Sequence, residues 1–225
     1  MNPSHVFEPQ PGFREPITNV VQEASYHFFG PLTSNLANSA ANFIVKHCIG
    51  DRASVLESLS TFITLTSTDE QASTHSCWLC IRLTHPTDEY VFPRWHRDGC
   101  MFDCSCVEKL PHSKYATTLL GPSTRILQPS ADVDGVVRSI VGPEGNEGNF
   151  RMELAEALKT IAPVPLETGQ VARFSWGQAD SPLHSEPDSI SSDRVFVSVM
   201  FGSEEEIRDM ASFRNETYDA EKVYE

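Results

Sequence analysis

From residue 76 to residue 202 the chain divides into short runs of β-branched, aromatic and aliphatic residues, each closed by a turn signal. No other feature limits the fold as much. The runs are Cys77–Thr84, Glu89–His96, Tyr115–Leu120, Thr124–Gln128, Val171–Trp176 and Val195–Phe201. Gly121-Pro122-Ser123 predicts a hairpin between the third and fourth. Ser130 to Asn149 is rich in Gly, Asp, Ser and Asn and predicts a long surface loop, and Arg151–Ile161 predicts a short amphipathic helix between strands. Many short antiparallel-type strands predict a β-sandwich or open barrel.

Helices are expected on either side of this region. The prolines of residues 1–15 predict an extended arm with little structure of its own. Thr33-Ser34-Asn35 then caps a periodic apolar face, predicting a helix over about 34–48 that Gly50 stops. A second helix is expected from about Asp51, carrying Val55, Leu56, Leu59, Phe62 and Ile63. Ser203 and the three glutamates after it predict a last helix with acidic residues in its first turn. The expectation is one α+β domain over 1–225. Its parts are an arm and buttressing helices (1–75), a β core (76–202), and a C-terminal helix and tail (203–225).

Composition excludes several classes. A net charge of −14 argues against binding a phosphate backbone, which demands a basic patch. No apolar run approaches the roughly 18 residues of a membrane span. The first residues lack a basic segment followed by an apolar one. With six cysteines and no export signal, reduced thiols in a cytoplasmic protein are expected. Cys77-x-x-Cys80 with Cys100, Cys104 and Cys106 fits a zinc site poorly. In a strand, positions i and i+3 face opposite sides.

The chemistry centres on Phe92-Pro93-Arg94-Trp95-His96-Arg97-Asp98-Gly99. In an extended strand His96 and Asp98 share a face and can converge on one metal ion. Two histidines and a carboxylate with open positions opposite are the usual ligand set for oxygen-activating Fe(II). The second histidine is His184, placed where a new strand begins. Ten residues later Arg194 opens the apolar strand Val195–Phe201. An arginine at the mouth of a buried strand needs an anionic partner. A carboxylate co-substrate gripped by two parallel hydrogen bonds meets that need, as does an ordinary ion pair with Asp188, Asp193 or Glu186.

This order of residues resembles the Fe(II)- and 2-oxoglutarate-dependent dioxygenase superfamily, whose fold is a double-stranded β-helix, or jelly roll. The likeness covers residues 76–202, with the helices before and after as buttresses. It implies that His96, Asp98 and His184 hold catalytic iron and that Arg194 binds the distal carboxylate of 2-oxoglutarate. Many members place a serine two residues after that arginine. Here Phe196 stands there and the next hydroxyl is Ser198. Lys114, Tyr115 and Thr117 are further candidate anchors, since some members use a lysine or tyrosine from the sheet. The implied activity consumes O2 and 2-oxoglutarate. It oxidises a C–H bond of a small-molecule metabolite by hydroxylation, desaturation or ring closure, in a biosynthetic setting. Rival readings are a metal-dependent oxidase on the same fold that does not use 2-oxoglutarate, a non-catalytic jelly-roll binding module, and a cysteine-based zinc interaction protein.

Other residues near the motif have blander readings. His75, His85 and His112 are read as surface or loop residues rather than ligands. Trp95 and Trp176 are read as core aromatics or pocket walls. Arg94 and Arg97 bracket His96 and are read as pointing away from the metal face or supporting it from behind. The segment from Met101 to Pro111 is read as a lid or a static loop.

Overall fold

The computed structural model describes residues 4–8, 16–70, 76–98, 112–142, 147–176 and 181–218. The segment from Met101 to Pro111, read as a lid or a static loop, and His75, Cys100, Cys104, Cys106 and the side chain of Trp176 lie outside the described residues. Among the described residues the protein is α+β, with five helices and a dominant antiparallel sheet.

That sheet has six strands: β1 (Ser4–Val6), β3 (Ala24–Pro31), β5 (Ser76–Thr84), β6 (His112–Leu120), β8 (Ala172–Trp176) and β10 (Arg194–Gly202). Their spatial order is β1-β8-β6-β10-β5-β3. The central strand is β10, an unbroken apolar run paired along its length with β5 and along most of it with β6. Side-chain alternation splits it into two faces. Val195, Val197, Val199 and Phe201 join one core cluster, while Arg194, Phe196, Ser198 and Met200 face the other way.

The first face is covered by α1 (Leu36–His47) and α2 (Arg52–Glu70). In α2 the buried residues Val55, Ser58, Leu59, Phe62 and Thr66 recur at helical spacing. Asp51 opens this helix by accepting from the Ser54 amide at 2.8 Å. The strands β2 (Ile17–Val20) and β4 (Cys48–Gly50) pair beside the two helices.

The second face carries two smaller bodies. At one end α5 (Glu204–Phe213) packs Ile207, Met210 and Ala211 onto Phe29, Trp78, Cys80 and Met200. The helix and its acidic first turn are as expected, and Ser203 caps it in a reciprocal capping box with Glu206. At the other end lies a small antiparallel ribbon of β7 (Arg125–Ile126) and β9 (His184–Ser185), with residue 96 bridged to residue 184. Ile126 packs from this ribbon onto Ala116, Ala172 and Phe174 of the main sheet.

Several expectations need correction. Residues 130–149 are not all loop: α3 (Ala131–Ile140) forms there, with the Ser130 hydroxyl accepting from the Val133 amide at 3.2 Å. Val133 and Val137 stand one helical turn apart and are buried, and this outweighs Gly135 in the helix interior. Residues 151–161 form only a two-turn helix, α4 (Arg151–Ala157). The expected strand Glu89–His96 is mostly turn and bend, joined to a strand only by the isolated bridge from His96 to His184. Gly121-Pro122-Ser123 does not close a hairpin. It carries the chain from β6 in the large sheet to β7 in the ribbon. Gly121 has φ +81°, and a Cβ there would be driven into the Asp193 carbonyl oxygen. Strands also precede the helices, because β3 forms the edge beside β5 and β1 pairs with β8.

Candidate metal centre

The ribbon fixes which way each histidine faces. His96 and His184 exchange main-chain hydrogen bonds, at 3.0 Å from the His96 amide and 2.9 Å from the His184 amide. Their neighbours Trp95 and Leu183 therefore point outward. Both join an apolar cluster with Leu127, Val133, Val137, Leu154 and Leu158. Helices α3 and α4 thus anchor the outer side of the ribbon, and the two imidazoles face the main sheet. His184 lies against the Phe174 ring with centroids 4.8 Å apart.

The ligand atoms of His96, Asp98 and His184 lie within 4.8 Å of one another. Nε2 of His184 is 3.4 Å from Oδ2 of Asp98, and Nε2 of His96 is 3.9 Å from Oδ1. Each Nδ1 faces a main-chain carbonyl two residues back: Arg94 at 2.8 Å and Pro182 at 3.2 Å. A carbonyl only accepts, so each Nδ1 is the protonated nitrogen and donates to it. Both Nε2 lone pairs then face a carboxylate. Burial and the neighbouring His184 ring hold His96 down to about 4, so it is neutral at neutral pH. Lone pairs aimed at one another in a partly buried site repel unless a cation lies among them. The donor set therefore fits a metal ion, with tautomers fixed as metal-bound histidines require.

Burial alone would raise the pKa of Asp98. The Lys114 ammonium, 2.9 Å from Oδ2, outweighs it and holds the group well below the usual carboxylate range. Lys114 reaches across from β6, so that candidate anchor sits beside the candidate metal ligands.

The site opens into a cavity of about 230 Å³ between the ribbon, the main sheet and the end of α5. Arg194 and Ser198 line it, on the same face of β10. Arg194 is 8% exposed, and its guanidinium is held from behind. Nε donates to the Pro122 carbonyl at 3.1 Å, Nη2 donates to the Thr124 hydroxyl at 3.0 Å, and the group stacks 4.7 Å over the Phe196 ring. Burial pushes its pKa down to about 10. Among the described residues no carboxylate lies within ion-pair distance of it. Glu186 is paired with Arg94 at 2.6 Å, and Asp193 accepts from the Val20 amide and faces His85.

Tyr115 and Thr117 alternate onto the opposite face of β6. The Tyr115 hydroxyl donates towards Glu70 at 2.6 Å and Asp69 at 2.9 Å of α2, outside the cavity. Arg94 was expected to point away but lines the cavity, because it is two residues from His96 and shares its face. Arg97 does point outward, donating to the Ser181 carbonyl and to Asp134, both at 2.9 Å. Trp95 is a core aromatic. His112 is a buried strand residue facing Glu206 at 3.1 Å, not a loop residue. Cys48, Cys77 and Cys80 are free buried thiols, with Cys77 and Cys80 on opposite faces of β5. Sequence reading missed Thr124, Glu186, Arg82, Trp78 and Arg214, all in the cavity wall. The signal for Glu186 was parity with His184; Arg214 had none.

No protein-family model matches this chain, and no curated protein was found to match it.

Proposed function

We propose that the protein is a jelly-roll, non-haem Fe(II) oxygenase that uses 2-oxoglutarate and O2 to oxidise a small molecule. One observation carries this reading. A converging His-Asp-His set shares a small cavity with a buried guanidinium that has no carboxylate partner among the described residues. The two-body arrangement, a large antiparallel sheet faced by a short ribbon bearing the ligands, is compatible with a jelly roll.

His96, Asp98 and His184 would hold the iron. When bound, iron supplies the redox chemistry that couples 2-oxoglutarate and O2 to succinate, CO2 and an oxidised C–H bond. Arg194 would receive the distal carboxylate of 2-oxoglutarate. The Thr124 hydroxyl and the Pro122 carbonyl hold the guanidinium still, so little orientational freedom is lost on binding. Ser198 lies on the same face and replaces the serine absent at position 196. Lys114 orients Asp98 by its charge-assisted hydrogen bond. Phe174 and Phe196 keep water from the reacting centre.

The test is oxygen-dependent succinate release from 2-oxoglutarate by the Fe(II)-loaded protein. Release that requires His96 and His184 supports the reading. Iron binding at these residues without 2-oxoglutarate turnover favours an oxidase that dispenses with the co-substrate, a role compatible with Phe196 beneath the guanidinium.

A further inference from the structure

The cavity is strongly cationic in a strongly acidic chain. Among the described residues, Arg82, Arg94, Lys114, Arg194 and Arg214 line it, against the carboxylates of Asp98 and Glu186 alone. Both carboxylates are engaged, Glu186 by Arg94 at 2.6 Å and Asp98 by Lys114 at 2.9 Å. Neither Arg82 nor Arg194 has a carboxylate within ion-pair distance among the described residues. The proposed function places an anion on Arg194, which leaves Arg82 to account for.

Arg82 stands at the cavity rim on β5, opposite Phe196 in the pairing with β10. Its side chain is exposed, as expected of a group that meets an entering ligand. Arg214, at the C-terminal end of α5, reaches the same cavity and lies 4.2 Å over the Trp78 ring. Trp78 is fixed in turn by its stack with Phe29 at 5.5 Å and by the bond from its ring N–H to His27 at 3.3 Å. The two arginines come from different elements, and each lowers the other's preference for charge unless an anion lies between them. They approach from the β5 and α5 side of the cavity. Arg194 is held from the Pro122 and Thr124 side.

We propose that the molecule oxidised at this site is a small organic anion whose carboxylate or phosphate is gripped by Arg82 and Arg214. This rests on the oxygenase reading for the oxidation, but not for the binding. The anion would enter past Arg82 and bring its carbon skeleton between Trp78 and the His-Asp-His set. The cavity, at the small end for ligand pockets (about 300–1,000 Å³ is common), restricts that skeleton to a few carbons.

The test is calorimetric titration of the whole, metal-free protein with three matched series: C3–C8 carboxylic acids, phosphate monoesters and neutral methyl amides. Each is run with and without 2-oxoglutarate. One anionic series should bind about tenfold or more tightly than the amides, and the tighter series identifies the head group. Arg82→Gln and Arg82→Glu should weaken that binding by about tenfold or more. Arg82 is exposed, so these variants do not threaten the fold. Arg214→Lys, which keeps the charge over Trp78 but loses the planar fork, should weaken binding less than Arg82→Glu. If the Fe(II)-loaded protein releases no succinate from 2-oxoglutarate while the anion still binds through Arg82, the co-substrate reading falls and this one stands. Equal binding of anions and amides, or anion affinity unchanged in both Arg82 variants, overturns it.

Discussion

His96 and His184 are joined by a mutual pair of main-chain hydrogen bonds, 3.0 and 2.9 Å long, so two distant parts of the chain meet at the candidate ligand positions themselves. The bridge is backbone only and does not depend on the imidazoles. His96→Ala and His184→Ala should therefore each lower divalent-metal affinity by at least about 100-fold. Each should cost only about 1 kcal/mol of stability. Metal titration and amide exchange at residues 96 and 184 check both halves. Loss of amide protection would show that the rings, not the backbone, hold the ribbon.

Lys114 is the counter-ion of a nearly buried carboxylate. Lys114→Met should destabilise the metal-free protein by about 3 kcal/mol, because Asp98 is left buried and charged. A divalent cation should restore most of the loss by taking over that role. Thermal melts with and without Mn(II) distinguish this from a general packing defect, which metal would not repair.

Gly121 lets the chain pass from the large sheet to the ribbon at positive φ, against the Asp193 carbonyl. Gly121→Ala should cost more than about 2 kcal/mol through strain and displacement of the 193–194 backbone. Denaturant unfolding measures it. A near-neutral result would contradict the close approach.

Glu70 is half-buried beneath the sheet, and the partial burial raises its pKa against the opposing bond from Tyr115. A carboxyl group with a raised native pKa stabilises the fold while protonated and loses that contribution as pH rises from its unfolded value, about 4.3, through its native value. Glu70→Gln keeps an acceptor for Tyr115 without the charge. It should be more stable than wild type at pH 7, with the difference gone near pH 4. A gain that persists unchanged at pH 4 would exclude a charge effect.

The candidate site was more legible in the sequence than the fold around it. His96, Asp98, His184 and Arg194 stood out because residue type, order and strand parity suffice to mark them. Applied to Arg94 and Glu186, the same parity also puts them on the inner face, flanking the histidines across the ribbon. Cross-strand partners such as Thr124 and Trp78 were hidden because register is set by tertiary pairing, not by local pattern. The edge strand β3 was missed because its neighbour in space, β5, follows two intervening helices. Helix α3 was masked by Gly and Asp, although its buried valines and the Ser130 cap were present. That helix holds Trp95 and Leu183 outward and so orients the site.

Absorption spectroscopy under anaerobic conditions, with Fe(II) and then 2-oxoglutarate added, tests the central claim most directly. The account predicts a visible metal-to-ligand charge-transfer band in the wild type. The band should vanish in His184→Ala and need much more 2-oxoglutarate in Arg194→Gln. Iron bound by the wild type with no such band at saturating 2-oxoglutarate would contradict it.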